Sequence, residues 1–496
     1  MAKKIQVRRD TAANWISANP ILASGEIGYE TDTGLMKIGN NNEPYDSLYY
    51  HSDVRGKTNS GGYGGTSQDL KDAIDRVEET NQYYGIQFVT TKSTTQCTRI
   101  GNMDLHAILP VQSLMRRCLL LDNGNVNYYL DANNSSLNEN GQAAILDGTD
   151  GQVVVEIQQH YKKFETFGTM NRILISLFPL AGYIRIPKMY ISAYEPSLNR
   201  STSQLASVVN TSPNYRGGNN TSAWDLQDNS LLGMPVTNES RTNFRTYARN
   251  RGSINWNIEL SDTYKAWADL LYIEFANLNS QESYNPATTA QGYKQGGLGS
   301  GVTDANSGNW SAFNSYNPFI PCGTTNALGN NTGVVDYAPT GWAGGKVFSV
   351  PSYRGIENPF GHIWKWMDGI NLRIQSDADG GKSEVYVANT FNLNDINYNG
   401  YTKVGEAARS NGYISRMIRN QLIPEDTSGA SSNTFWADYF YTNIPNSGES
   451  LRGVLSGGAA ASGANAGLAC SNTYYVPSRT RTILGSRLIF LTEEMT

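Results

Sequence analysis

The sequence predicts a mainly β protein with an α+β C-terminal domain, and three observations support this class. The 496 residues include 49 glycines and 30 tyrosines, whereas only 17% of the residues are charged. Short segments of alternating apolar and polar residues recur between turn-forming Asn, Asp, Gly and Pro residues, which is the pattern of half-buried strands. Few segments repeat apolar residues at helical spacing. A chain of this length is expected to hold about two to four domains of roughly 100–200 residues each.

The net charge of −5 and the pI of about 5.6 argue against nucleic acid as a partner, because nucleic-acid binding needs a clustered basic face. The four cysteines, Cys97, Cys118, Cys322 and Cys470, are far apart and form no CxxC pair. We therefore predict no bound metal and no cofactor.

The longest apolar run, residues 173–186, contains Pro179 and Gly182. It is shorter than the roughly 20 residues that a membrane-spanning helix needs, so we predict no membrane insertion. The N-terminal residues carry charge without an apolar secretory core behind it, which predicts synthesis in a cytoplasm, although the protein can act elsewhere.

Residues 1–55 are predicted to form an N-terminal module of short strands. Segments 5–8, 26–30 and 35–38 alternate in polarity and are separated by turn signals such as Thr33-Gly34. A segment of this size buries little core by itself. We therefore expect it to associate with further copies of itself.

The run IQVRRDTAANWISANPILASGEIGYETDTGLMKIGN within this module resembles the N-terminal module of phage tail-fibre proteins. In that family it is similar to the β-prism of the phage major tropism determinant, in which three chains intertwine. The resemblance implies that residues 1–55 attach and trimerise the chain. The matching positions include Arg8, Arg9, Trp15, Asn19, Pro20, Leu22, Gly25, Glu26, Ile27, Gly28, Glu30, Thr31, Asp32, Thr33, Lys37, Ile38 and Gly39.

Residues 56–84 are predicted to form a Gly-rich linker followed by a short helix from residue 67 to residue 84. The apolar and amide positions of this helix follow the a/d spacing of a coiled coil. A short trimeric coiled coil and a single amphipathic helix lying on a neighbouring domain both satisfy the pattern. The a/d positions are Leu70, Ile74, Val77, Asn81 and Tyr84.

Residues 85–200 are predicted to form a β-rich middle region. Segments 153–157 and 173–177 have the composition of buried strands, and Asp147-Gly148 and Asp150-Gly151 are turn signals. The string ILDGTDGQVVVEIQQHYKKFE resembles a sequence of phage and prophage fibre proteins.

Residues 201–496 are predicted to form the C-terminal domain, in which one helix is evident at about residues 261–277. Tyr264, Trp267, Leu271 and Phe275 line one face of that helix, and Ser261 or Asp262 is its expected N-cap. The strings PFGHIWKWMDGI at 359–370 and GSR at 485–487 resemble the C-type-lectin-like fold shared by formylglycine-generating enzymes and the variable proteins of diversity-generating retroelements. The resemblance implies a receptor-binding domain.

No enzyme is predicted, and we assign no catalytic residue. The copper chemistry of formylglycine-generating enzymes needs paired cysteines, whereas Cys470 is alone in the closing segment. No Gly-x-Ser-x-Gly motif frames a serine nucleophile. His362 lies within an apolar aromatic stretch, which favours a core position over a catalytic one.

A recognition surface is predicted in the closing segment, residues 434–491. Aromatic side chains offer large contact area at low entropic cost, and Asn, Ser and Arg add hydrogen bonds. Strand alternation puts Trp436, Asp438 and Phe440 on one face and Tyr439 and Tyr441 on the other, without showing which face is outside. The small residues at 457–467 are expected to be scaffold. The predicted receptor-binding residues are Trp436, Asp438, Tyr439, Tyr441, Asn443, Arg452, Asn472, Tyr474, Tyr475 and Arg479.

Together these features predict a structural virion fibre protein of a bacteriophage that recognises a host cell-surface receptor. Its predicted architecture is an intertwined β-prism-like module, a short helix, a β-rich middle and a C-type-lectin-like domain. The expected partners are two further copies in a homotrimer, other virion proteins through residues 1–55, and a bacterial surface glycan or protein. Two alternatives are a capsid-decorating head fibre with a lectin-like tip and, less favoured, a glycan-degrading tailspike.

Overall fold

The computed structural model describes residues 7–48, 50–53, 81–90, 92–227, 230–284, 320–338, 348–388, 390–434 and 436–495. The chain divides into two compact units, Met1–Gln82 and Tyr83–Thr496. Strands predominate over helices in both, which confirms the prediction of a mainly β protein. No helix in these ranges combines the length and the apolar character needed to cross a bilayer.

The first unit contains one four-stranded sheet in the order β1-β2-β3-β4. Strand β1 is parallel to β2, and the other pairs are antiparallel. Strands β2 and β3 therefore form a hairpin around the predicted Thr33-Gly34 turn, whereas β1 does not form a hairpin with β2. A short helix, which the alternation did not reveal, begins after the N-cap Thr11. The helices and strands of the first unit are β1 Val7–Asp10, α1 Ala12–Ala18, β2 Ile27–Glu30, β3 Leu35–Ile38 and β4 Tyr50–Asp53.

The core of this unit joins two residues of the tail-fibre-like motif, Trp15 and Leu22, to two that follow it, Tyr45 and Leu48. The ring of Trp15 stacks on Tyr45 with 4.4 Å between centroids, and Leu22 and Leu48 complete the buried cluster. A Cβ at Gly39 would lie 2.4 Å from the Cβ of Leu22, so only glycine fits there. The motif and the residues just after it therefore encode a small core. Its intertwining with two other chains stays a prediction.

The second unit begins with two sets of strands separated by a short helix. These elements are β5 Tyr83–Val89, β6 Thr98–Gly101, α2 Met103–Ile108, β7 Arg116–Leu120, β8 Val126–Tyr129, β9 Gln152–Ile157, β10 His160–Phe167, β11 Met170–Ser176, β12 Ile184–Ile186, β13 Met189–Ser192, β14 Ser197–Asn199 and β15 Gln204–Ala206. The predicted strands at 153–157 and 173–177 correspond to β9 and to most of β11.

Among the described residues, the second unit continues with its two longer helices, α3 and α4, and its longest strand, β20. The elements are α3 Arg241–Arg249, β16 Trp256–Ile258, α4 Ser261–Phe275, β17 Gly333–Tyr337, β18 Phe348–Tyr353, β19 Ile356–Glu357, β20 Trp364–Gln375, β21 Ser383–Val387, β22 Thr402–Glu406, β23 Gly412–Tyr413, β24 Arg416–Met417, β25 Pro424–Asp426, β26 Tyr439–Tyr441, β27 Glu449–Ser456, β28 Ser471–Asn472, β29 Leu484–Gly485 and β30 Leu488–Leu491.

The predicted linker and most of the predicted coiled-coil helix, residues 56–80, lie outside the described residues. The helix prediction is wrong at its C-terminal end, because Tyr83 and Tyr84 belong to β5. Strand β5 pairs with β6 and β11, and the Tyr84 hydroxyl donates a hydrogen bond to the Gln112 side chain at 2.7 Å. Ladder pairing and burial of Tyr84 therefore override the helical spacing of the preceding residues.

Three sheets organise the second unit. One has the order β12-β10-β11-β5-β6, a second has the order β16-β30-β13-β9-β7-β8, and the largest follows β22-β21-β20-β27-β28-β26-β23 with β29 beside β20. In the second sheet, β9 and β13 from the predicted middle region lie beside β30 and β16 from the predicted C-terminal domain. The predicted boundary at residue 200 therefore does not separate two folded bodies.

Helix α4 lies in the core of the second unit. Tyr264, Trp267 and Leu271 are fully buried, as the helical spacing predicted. The helix begins at Ser261, and its N-cap is Leu260 rather than Ser261 or Asp262. The Leu260 amide donates to the Thr263 hydroxyl at 3.0 Å, so the Thr263 side chain takes the capping role that was expected of Ser261 or Asp262.

A buried ionic network fixes helix α3 to strand β20. The Arg245 guanidinium donates to both carboxylate oxygens of Asp368, at 2.6 and 2.7 Å, and also contacts Asp395. Arg241 on the same helix face binds Asp395 and donates to the Ile370 carbonyl at 2.7 Å. These guanidinium groups hold the pKa of Asp395 down at about 2, against the effect of burial.

Candidate functional site

The closing segment forms the far end of the largest sheet. Strand β28 lies between β27 and β26, so that Asn472 is paired with Leu455 on one side and Tyr441 on the other. Strand β23, from about 30 residues upstream, completes the edge beyond β26. The predicted recognition residues therefore sit on neighbouring strands and on the loops between them.

Trp436 and Asp438 are on the inner face of this edge. Trp436 is 2% exposed, and its ring packs edge-to-face against Phe88 and Tyr272 at 5.3 and 5.4 Å. The structure shows which face of the strand is outside. Trp436, Asp438 and Phe440 are buried, and Tyr439 and Tyr441 reach the surface. Trp436 is a core residue, so its predicted role in receptor contact is wrong.

Asp438 is a buried scaffold residue. Its Oδ2 accepts a hydrogen bond from the Ala469 amide at 2.7 Å, and burial raises the pKa of its carboxyl well above the ordinary value. A Cβ on Gly467 would lie 2.0 Å from Oδ1 of Asp438, so glycine is required there. The carboxyl group joins the start of β26 to the small-residue loop. The prediction that Asp438 contacts the receptor is therefore wrong. The same bond supports the scaffold role predicted for the loop.

The outward face carries three half-buried tyrosines, Tyr413, Tyr439 and Tyr441, which we call the tyrosine ladder. Successive ring centroids are 5.1 and 4.7 Å apart. Asn465 connects the ends of the ladder, accepting from the Tyr413 hydroxyl at 2.6 Å and donating to the Tyr441 hydroxyl at 2.9 Å. Because these contacts orient the rings before any partner arrives, the ladder is preorganised for binding.

A second surface, which we call the tyrosine–arginine corner, follows β28. It consists of Tyr474, Tyr475, Arg452, Arg479 and Arg481. The two tyrosine rings are 5.0 Å apart, and the side chain of Tyr474 is 45% exposed. Arg452 donates to the Tyr474 carbonyl at 2.7 Å, Arg481 donates to the Tyr475 hydroxyl at 2.8 Å, and Arg479 lies over the Tyr475 ring at 5.7 Å.

The corner is positively charged. Within the described part of the chain, none of its three guanidinium groups forms an ion pair. Arginine without a carboxylate partner retains donors for carboxylate, phosphate or carbonyl oxygens of a ligand. Burial lowers the pKa of Arg452, consistent with its role beneath the loop, whereas Arg479 is exposed.

Backbone hydrogen bonds connect the ladder to the corner. The Thr473 amide donates to the Tyr441 carbonyl at 2.8 Å, and the Gly453 amide donates to the Tyr475 carbonyl at 3.0 Å. Tyr441 and Tyr475 also pack against the same buried cluster. The two surfaces therefore rest on one rigid frame.

The remaining two predicted residues differ in exposure. Asn472 is buried, and its side-chain oxygen accepts from the Tyr474 amide at 2.8 Å, so it shapes the loop instead of presenting a surface. Asn443 is half-buried just after β26, beside the ladder. Sequence reasoning missed Tyr413, Asn465 and Arg481. Arg481 is signalled by its closeness to Arg479, but Tyr413 reaches the ladder only through the pairing of β23 with β26.

A further group of buried titratable residues lies in the core of the second unit. Glu195 contacts Lys365 at 2.8 Å and His362 at 3.0 Å, and all three side chains are 1% exposed. This places His362 in the core, as its apolar neighbours indicated. Elsewhere in the described ranges, no three His, Cys, Asp or Glu side chains are grouped closely enough to hold a metal ion.

Comparison with known proteins gives one family match. Residues 5–40 match the model of the major tropism determinant N-terminal domain. The resemblance predicted for this segment is thereby confirmed. A hyaluronoglucosaminidase of Streptococcus pyogenes phage H4489A is 40% identical over 47 residues in the N-terminal part, which covers 10% of this chain and 13% of that protein.

Two solved structures illustrate the structural matches. A full-length streptococcal bacteriophage hyaluronidase, solved with unsaturated hyaluronan octasaccharides, is 35% identical over 13% of this chain and 18% of its own, with a TM-score of 0.10. The M1 variant of the major tropism determinant is 13% identical over 98% of this chain and 99% of its own, with a TM-score of 0.26. The chain therefore spans less than a fifth of the length of either phage enzyme, the H4489A hyaluronoglucosaminidase or the streptococcal phage hyaluronidase.

Proposed function

We propose that this chain is a bacteriophage virion fibre protein that adheres to the surface of a host bacterium. Residues 1–55 join it to other virion proteins and to two further copies in a homotrimer. The second unit, with residues 201–496 as its C-type-lectin-like part, presents the tyrosine ladder and the tyrosine–arginine corner to the receptor. The site of action is the virion.

The observation that carries this proposal is the match of residues 5–40 to a domain of the major tropism determinant. It supports a virion setting for the rest of the chain. The geometry of the closing segment supports adhesion, because its outward side chains are tyrosine, arginine and asparagine held by a rigid sheet edge. Such side chains supply contact area and hydrogen bonds without a large cost in conformational entropy.

The receptor is either a glycan or a protein. Sugar rings stack on tyrosine faces, and the corner arginines, which form no ion pair with a described residue, suit an acidic sugar or a carboxylate-bearing loop. Three copies of a weak site in a trimer would raise the overall avidity by about 10²–10⁴-fold without any new contact. Modest affinity at each surface is therefore sufficient for adhesion.

Competition for host adsorption tests this function. Purified full-length protein is expected to block phage adsorption, and the Tyr439→Ala/Tyr441→Ala variant is expected to lose about tenfold or more in potency. The matched control is Tyr386→Ala/Tyr398→Ala, which removes a similar half-buried tyrosine pair, 4.7 Å apart, beside the opposite end of the same sheet. Equal potency of the two variants would contradict the proposed surface.

Treatment of the host cells separates the two receptor classes. Periodate oxidation of the cells should abolish binding if the receptor is a glycan, and protease treatment should do so if it is a protein. Immunogold labelling of intact virions distinguishes a tail fibre from a head fibre.

A glycan-degrading tailspike is the second candidate, because the N-terminal part is similar to a phage hyaluronoglucosaminidase. The similarity covers 13% of that protein, and the described ranges place no acidic pair on the tyrosine ladder or the corner. Incubation of the purified chain with host polysaccharide tests it. Shortening of the polysaccharide chains would establish the tailspike over a purely adhesive fibre.

A further inference from the structure

A pocket of about 140 Å³ opens beside the hairpin of β5 and β6 in the second unit. None of its described lining residues belongs to the tyrosine ladder or the corner. Its volume is close to that of a cavity of about 150 Å³ that holds one benzene molecule, and below the range of about 300–1,000 Å³ that suits drug-sized ligands. The pocket therefore has room for a single six-membered ring.

The floor of this pocket is apolar and fixed in place. Phe88 and Leu278 line it and are 8% and 2% exposed. The Trp436 ring packs edge-to-face against Phe88 and so supports the floor from the core. The Leu278 amide donates to the Thr95 carbonyl at 2.8 Å, which connects the floor to the loop that forms the rim. A ligand therefore meets a rigid apolar surface at the bottom of the pocket.

The rim is polar and has hydrogen-bonding groups that the protein does not use. In the described part of the chain, the side chains of Lys92, Gln96 and Thr98 form no hydrogen bond and no ion pair. Gln87, which pairs with Thr98 across the hairpin, uses only its side-chain oxygen, accepting from Arg172 Nε at 3.0 Å. The rim therefore offers a ligand one ammonium group, two amide NH₂ groups and a hydroxyl.

The charges around the pocket do not favour a charged ligand. The described lining has one ammonium group, that of the exposed Lys92, and no carboxylate. The Glu282 carboxylate lies beside the rim loop, where it accepts from the Thr95 hydroxyl at 3.1 Å. The guanidinium group of Arg172 is 3.7 Å from Glu165. A single solvated ammonium group adds little to the binding of an anion, so hydrogen bonding and shape decide which ligand fits.

We propose that this pocket binds one neutral pyranose ring. The C–H groups on one face of the ring pack on Phe88 and Leu278, and its hydroxyls pair with the side chains of Gln87, Gln96 and Thr98. A purely apolar ring would leave those polar groups unpaired, and a flexible polyol would leave the apolar floor uncovered. The pocket shares no residue with the tyrosine ladder, so this site does not rest on the proposed adhesive role.

Titration of the full-length chain by saturation-transfer NMR tests the proposal, with the methyl pyranosides of glucose, galactose and mannose as probes. At least one of them should bind. Cyclohexanol has a six-membered ring with one hydroxyl, and glycerol has hydroxyls without a ring, so each should bind about tenfold more weakly or less. Binding of none of the three pyranosides would overturn the proposal, as would equal affinity for cyclohexanol or glycerol.

A double variant tests the rim. Lys92→Ala/Gln96→Ala removes two hydrogen-bonding groups from exposed positions and should weaken pyranoside binding by about tenfold or more. Ser93→Ala is the matched control, because Ser93 is exposed in the same loop and does not line the pocket. It should bind as the parent does, and equal affinities of the double variant and the control would contradict the proposal.

A filling variant locates the binding. Thr98 is exposed on the edge strand β6, so Thr98→Trp should block the pocket and abolish binding at an unchanged melting temperature. Thr402→Trp places the same side chain at an exposed position of β22 and should bind normally. The Tyr439→Ala/Tyr441→Ala variant should also keep pyranoside binding, whatever its effect on adsorption. Undiminished binding by Thr98→Trp, or loss of binding in the ladder variant, would overturn the proposal.

Discussion

Glu259 is a buried carboxyl group beside the core helix α4. It is 1% exposed, and its Oε1 accepts a hydrogen bond from the Trp267 indole at 2.6 Å. Burial raises its pKa to about 7, from an ordinary value of 4.5, and the positive charge of Arg487 offsets only part of this effect. Between these two pH values the folded state binds more protons than the unfolded state. The contribution of this residue to stability is therefore lost as the pH rises from 4.5 to 7.

Replacement by an amide should remove this pH dependence. We expect Glu259→Gln to gain up to about 3 kcal/mol relative to the parent when the pH is raised from 4.5 to 8, because glutamine keeps an acceptor for Trp267 and carries no charge. Urea unfolding at the two pH values measures the difference. Glu139→Gln, at an exposed position, should show no such gain, and an equal response of both variants would contradict the assignment.

Gly467 provides a second test at the level of one residue. Because a Cβ there would lie 2.0 Å from the Asp438 carboxylate, Gly467→Ala should lower the free energy of unfolding by about 2 kcal/mol. The control is Gly333→Ala, where the nearest atom to an added Cβ is a Leu328 methyl at 3.5 Å. Chemical denaturation of the two variants measures both. Comparable losses in both would show that Asp438 does not hold the loop in the proposed way.

At the scale of the elements, the join between α3 and β20 depends on charge and geometry together. Arg245→Met would leave the Asp368 carboxylate buried without its bidentate partner, which should cost about 3–5 kcal/mol. Arg373→Met removes an arginine that pairs with Glu449 at the surface, where both side chains are more than a third exposed, and should cost less than about 1 kcal/mol. Equilibrium unfolding in urea gives both values, and similar costs would contradict the role of the network.

Elements with strong local patterns were predictable, and elements defined by distant partners were not. Helix α4 follows from the spacing of its aromatic residues, and β9 and β11 follow from their apolar runs. The sequence of the closing segment shows which side chains share a face of the strand, but it does not show which face is buried. The burial of Trp436 depends on Phe88 and Tyr272, which are more than 160 residues away in the chain. For the same reason Trp436 appeared to be a contact residue, and Tyr413 was missed.

At the scale of the whole molecule, the sheet order determines which fragments can fold. Strand β30 lies between β16 and β13, so residues 201–496 alone would lack β13, β9 and β7. We expect residues 83–496 to give a folded protein with a single cooperative thermal transition. Residues 201–496 should give a protease-sensitive chain without one. Circular dichroism melting and limited proteolysis distinguish these outcomes, and a stable 201–496 fragment would contradict the shared sheet.

The predicted boundary at residue 200 rested on composition and resemblance, which report on local segments. The connection that invalidates it is the pairing of Met189 with Leu491, and no local pattern in either strand identifies its partner. The Gly-rich segment at 56–66 predicts the end of the N-terminal module at residue 55, whereas the first compact unit extends to Gln82.

The position of β30 also affects how the protein is made. Strand β13 leaves the ribosome about 300 residues before β30, its neighbour in the sheet, is synthesised. At about 5–20 residues per second, the nascent chain waits roughly 15–60 s with that sheet edge unpaired. An unpaired edge of apolar strands invites pairing with other chains, and a polysome holds identical chains close together. The supply of chaperones that shield this edge during translation should therefore limit the yield of correctly folded protein more strongly than the stability of the finished fold does.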